Sequence, residues 1–319
     1  MIALRRLLYN PLFVSDGLAR VRSWRTPVLI GLYLTVLGLV AFVVFATQQN
    51  SARTGVGQVD VGSLVFTSVA IGQLALVCVL APGLAAGAIS GERERQTFDV
   101  LAASRMKPWH IVWGKLVTSI AFVVLLIVAA LPVLGTAFLF GGVDFEQFLV
   151  SQLLTVTTAL TLAAVALFVS ALVKRSLVST VVAYVATAAG LVGSVVLGAL
   201  LTALYLQAQG PLVAAGPAQV QTVVHPLVFV NPFNAMTALL QPSPFGGAVH
   251  LGRVAQILTL APGAASTGGP LIEAWQASIF IELLVVALSV FGAIQVLRGR
   301  RALPWRTRRQ SPTPTPQPD

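Results

Sequence analysis

The chain has 319 residues, of which 56% are apolar and only 9% charged, and its formal charge is +10. Soluble domains carry roughly 25% charged residues, so this composition excludes a water-covered globular surface. The basic residues sit in short clusters beside long apolar runs, as they do in a membrane protein, which argues against nucleic-acid binding. Cys78 is the only cysteine; this excludes an internal disulfide and a thiolate metal cluster, and inside an apolar run it reads as a small packed hydrophobe.

Near the N-terminus, Asn10 and Pro11 suit a helix cap and first helical position. Leu12, Phe13, Leu18 and Val21 then alternate with Arg20, Arg22 and Arg25. The pattern fits an interfacial elbow helix and, equally, a basic surface anchor with no further role. The first apolar run begins near Pro27, too deep and too long for the core of a cleaved signal, and is expected to stay as a span. Six spans are predicted at 27–47, 64–89, 116–140, 149–173, 178–204 and 274–297, with Pro82 and Pro132 as internal kink points. Eighteen of the twenty Lys and Arg residues fall on one side of this arrangement, and only Arg53 and Arg253 on the other. The bias places both termini in the cytoplasm of a multi-pass plasma- or inner-membrane protein.

Residues 205–271 are expected to be external. Within them VVHPLVFVNPFNAMTALL (223–240) is apolar but broken by Pro226 and Pro232. It reads as an outer cap or a re-entrant or interfacial element. A seventh span there would carry the C-terminal arginines outside, against the charge rule. Residues 1–300 make one transmembrane domain, followed by a basic and then Pro-rich disordered tail over 301–319.

The most polar stretch, ISGERERQTFDVLAASRMKPWHIVWGK (89–115), lies between spans two and three. Phe98 and Leu101 are three apart and share a helix face, so a short amphipathic helix is predicted over about 94–104. Charge and periodicity alone suit a helix resting on lipid headgroups. The order of residues is more specific. A span ending Ile-Ser-Gly-Glu-Arg-Glu, then Gln-Thr, a Leu, a basic turn and a Gly-Lys resembles the ABC-2-type permeases of ABC transporters. The resemblance implies an all-α integral membrane subunit with an elbow helix, and a cytoplasmic coupling helix that docks on a separate ATP-binding subunit. Glu92, Arg93, Glu94, Thr97, Phe98, Leu101 and Arg105 would then be the partner-binding residues. This chain departs from the family at Gln96, where many members carry Gly, and at SRMK (104–107), where a Thr-Pro or Ser-Pro turn is frequent.

No G-x-x-x-x-G-K-[ST] loop occurs; WGKLV (113–117) lacks the first glycine, the Ser/Thr and a preceding strand. The chain is therefore expected to cradle no ATP itself. No cofactor, metal or catalytic residue is assigned. His110, His225 and His250 lie outside the predicted spans, which argues against an intramembrane metallo- or serine protease. An ion-coupled secondary transporter and a non-transporting scaffold stay open, because Glu282 lies inside the last span, where it either snorkels outward or hydrogen-bonds in the bundle. Gly83, Gly87 and Gly91, and Gly190, Ser194 and Gly198, form small-xxx-small steps. They suit packing within one subunit or a seam with a second permease subunit, which the resemblance would place at spans two and five. The reading is a permease subunit of an ATP-driven exporter of unidentified cargo, working as a homo- or heterodimer in the bilayer.

Overall fold

The computed structural model describes residues 24–53, 61–96, 108–208, 231–240, 248–250 and 271–301. The described residues form an all-α bundle, and six helices among them are long and apolar enough to cross a membrane. In chain order they are α1 (Arg25–Arg53), α2 (Val61–Ala86), α4 (Pro108–Phe138), α5 (Phe145–Leu172), α6 (Ser176–Ala208) and α8 (Ala274–Arg301). Three short elements complete the described part: α3 (Ser90–Glu94), α7 (Pro232–Leu240) and a pair of three-residue antiparallel strands, β1 (Ala248–His250) and β2 (Leu271–Glu273). The elbow expected before α1 and the tail over 302–319 lie outside the described residues.

The spans fall close to the apolar runs, and the departures have local causes. Span three begins at Pro108 rather than near residue 116, because proline needs no amide partner in a first helical turn and already holds a helical φ. Its first turns stack Trp109 on Trp113, ring centroids 5.4 Å apart, as aromatic residues do at a membrane interface. Span two ends at Ala86, and after a short turn the chain re-forms a helix as α3. The coupling helix predicted over 94–104 thus meets a described helix that ends at Glu94, a turn at Arg95 and Gln96, and residues 97–107 that lie outside the described part. Within 223–240 the structure forms α7, whose nine residues extend about 14 Å, far short of a span. Asn231 accepts from Phe233 N through Oδ1 (2.9 Å), and Pro232 opens the helix. Ala235, Met236 and Leu240 are buried against α2, α5 and α8. This is a short helix packed on the bundle.

The organising member is α5, which packs on α2, α4, α6, α7 and α8. Its buried positions are dominated by Ala, Thr and Ser; such small residues let helices approach closely where lipid gives no hydrophobic drive. Their hydroxyls mostly turn back on their own helix, as Thr155 does to Ser151 O (2.8 Å) and Ser151 to Phe148 O (2.8 Å). By contrast α1 and α6 present rows of exposed Leu, Val and Phe, including Leu32, Leu39, Phe42, Val185, Val192 and Val196. Those faces are left uncovered by the other described elements. Where α2 starts, Gly62 runs so close to the carbonyls of Ala137 and Gly141 that a Cβ would overlap them.

Candidate functional site

Polar groups cluster at three levels of this apolar bundle. The first is at the arginine-rich end, around α3. The Ser170 hydroxyl at the end of α5 accepts from Ile89 N (3.1 Å) and Ser90 N (3.0 Å), and donates to Ser90 Oγ (3.1 Å). It thereby satisfies amides that open α3 and have no intrahelical partner. Ser179, in the first turn of α6, donates to Ala86 O at 2.7 Å. Arg93 Nη1 donates to Ala171 O (3.0 Å) and Val173 O (3.3 Å). These are terminal carbonyls of α5, where a cation is favoured by the helix dipole. Glu94 Oε1 accepts from Ser176 N at 2.9 Å, placing a carboxylate on the N-terminus of α6, the complementary arrangement. Glu92 pairs with Lys115 of α4 at 2.5 Å.

A helix of five residues is therefore fastened to three different spans. Of the residues expected to contact a partner, Glu92, Arg93 and Glu94 are brought together, and their described bonds run to the chain's own α4, α5 and α6. Thr97, Phe98, Leu101 and Arg105 lie outside the described residues. Directly after α3, Gln96 adopts φ 58°, the left-handed conformation that glycine takes without cost. A reversal at this position is what a glycine there would serve.

The second level lies deeper. Glu282 is only 6% exposed and does not snorkel. Its Oε1 accepts from Thr158 Oγ1 at 2.7 Å, while Thr161 Oγ1 reaches its main-chain oxygen at 3.3 Å. A cavity of about 160 Å³ opens beside it between α5, α6, α7 and α8. Further along α5, Gln152 and the fully buried Gln73 of α2 exchange amide contacts at 3.1 and 3.5 Å.

The small-residue steps divide. A Cβ on Gly83 would come within 2.6 Å of the Tyr184 hydroxyl, and one on Gly87 within 3.4 Å of Ser176 Oγ, so both serve the α2–α6 contact inside this chain. Gly190 and Ser194 line the cavity, Ser194 also accepting from Asn231 Nδ2 at 3.1 Å, and Gly198 is buried. Sequence reasoning missed Gln73, Gln152, Thr158, Ser170 and Asn231. Their signal was that each is a polar group within or beside an apolar segment.

Residues 15–295 match the family described as ABC-2 family transporter protein. The chain belongs to this family. It is a multi-pass membrane protein of the ABC-2 permease type, the transmembrane component of an ABC transporter, and the family implies an ABC ATP-binding partner. No curated protein matches the chain significantly.

Proposed function

We propose that this ABC-2 permease is one of two transmembrane subunits of an ATP-driven exporter, with its termini and α3 in the cytoplasm and residues 205–271 outside. One of two ATP-binding subunits docks on the segment that follows α3, using Phe98 and Leu101 as apolar anchors and Thr97 and Arg105 around them. The observation that supports this reading is the fastening of α3. Glu92, Arg93 and Glu94 tie it to α4, α5 and α6, so a push delivered at 97–107 reaches three spans rather than one. In this reading these three charged residues transmit force, while the residues after them make the partner contact. A second permease subunit, identical or related, meets the chain across the exposed face of α6, beside Gly190, Ser194 and Gly198.

The test is recovery of the ATP-binding subunit with the permease purified from native membrane. Losing one buried anchor at an interface hot spot costs about 2 kcal/mol or more, roughly thirtyfold in affinity. Phe98→Ala combined with Leu101→Ala should therefore release the ATP-binding subunit while membrane expression stays unchanged, since insertion depends on the apolar spans. Unchanged recovery and unchanged transport in the double variant would overturn the docking assignment.

A further inference from the structure

The cavity beside Glu282 carries more polar chemistry than packing requires. Two of its buried side-chain atoms, Glu282 Oε2 and Thr187 Oγ1, have no hydrogen-bond partner among the described residues. They belong to different walls, α8 and α6, and converge on one space. The remaining lining is mainly apolar, with Leu162 and Val285 among its residues, and none of the described lining residues is basic. A buried acceptor left without a donor costs free energy, and a buried carboxylate without a countercharge costs much more. An intramembrane carboxylate facing a cavity rather than an internal cation marks a ligand pathway.

We propose that this cavity is a cargo site for a primary ammonium group carried on a small apolar body. The assignment of cargo rests on the exporter reading above; the assignment of a binding site does not. An ammonium offers three N–H donors. One meets Glu282 Oε2, a second meets the Thr187 hydroxyl, and the apolar body lies against Leu162 and Val285. Thr158 holds the other carboxylate oxygen at 2.7 Å and so sets the direction in which Oε2 points. Few polar groups placed within a mostly apolar cavity are the usual make-up of a small-molecule site.

The probe is tritiated 2-phenylethylammonium, measured by equilibrium dialysis against the full chain in phosphatidylcholine nanodiscs, with the uptake of protein-free nanodiscs subtracted. Saturable binding is expected. Glu282→Gln should weaken it by about tenfold or more, because it removes the charged partner of a desolvated pair. The neutral 2-phenylethanol and the anionic phenylacetate should compete at least about tenfold less well. Gly190→Leu serves as the second variant. A Cβ at Gly190 meets nothing within 4 Å and the residue lines the cavity, so a bulky side chain has room to start there and should weaken saturable binding by obstructing the site. Absence of saturable binding by the wild type, equal binding by Glu282→Gln, or equal competition by 2-phenylethanol would each overturn the proposal. The dialysis uses neither nucleotide nor ATP-binding subunit, so its failure strikes the cavity assignment alone. Failure to recover an ATP-binding subunit strikes the exporter reading alone.

Discussion

Arg93 is the member of the α3 cluster whose removal should be felt most. Its Nη1 bridges two carbonyls, Ala171 O and Val173 O, at 3.0 and 3.3 Å. A hydrogen bond from a charged donor contributes about 1.5–3 kcal/mol net. The site is part-buried, so water can reach one of the freed carbonyls, and the two bonds together should contribute about 2 kcal/mol, the lower part of that range. Arg93→Ala should therefore raise the open population of α3 by about thirtyfold. Hydrogen exchange of nanodisc-embedded protein reads this directly. Amides over 87–96 should exchange about thirtyfold faster, while those in the middle of α2 keep their protection. Arg93→Lys keeps the charge but not the planar fork, and should fall between the two. Unchanged protection over 87–96 in a monodisperse Arg93→Ala protein would refute the view that this bridge holds α3 against α5.

At Gln96 the φ of 58° costs a non-glycine residue about 1–2 kcal/mol, part of which glycine returns through its looser unfolded chain. Gln96→Gly should therefore slow exchange over 87–96 by up to about fivefold. Gly62→Ala should destabilise the purified protein by about 2 kcal/mol or more, read as a lower Tm, because the opposing atoms are the main-chain carbonyls of Ala137 and Gly141 and cannot rotate away. A cysteine at position 310 in a Cys78-free background should resist labelling by an impermeant reagent applied outside intact cells, and labelling there would reverse the proposed topology. The purified chain should hydrolyse no ATP, since it lacks a phosphate-binding loop; turnover that persists after every contaminating ATPase is removed would refute this.

The number and approximate limits of the spans were legible because lipid demands long apolar helices, and nothing else in the sequence competes with that pattern. The start of α4 was placed too late because hydropathy ignores a polar interfacial turn that Pro108 is well suited to open. The role of α3 was only half legible. Glu92, Arg93 and Glu94 stood out as charge, but the partners of Arg93 and Glu94 lie about eighty residues away in sequence, at Ala171, Val173 and Ser176. No local pattern reveals a contact of that separation. Glu282 stood out as a lone carboxylate in a span, whereas the Thr158 that orients it was hidden among the many hydroxyls of α5 that bond only their own backbone.

That concealment follows from how α5 is built. Between its polar contacts the helix offers neighbours an Ala-rich surface whose hydroxyls are largely satisfied within the helix, with Phe168 seated against Gly292 of α8 as its main bulky fit, so packing sets axial register at few places. Register is set at three levels: Gln152 with Gln73 of α2, Thr158 with Glu282 of α8, and Ser170 with the amides of Ile89 and Ser90 that lead into and begin α3. Each is a side-chain contact between elements far apart in sequence, and in an apolar bundle such a contact contributes about 1 kcal/mol. Sliding α5 by one turn would break all three together and leave buried amides and a carboxylate without partners, at a cost larger than the contacts themselves. The polar rungs therefore contribute less to the depth of the native minimum than to its uniqueness.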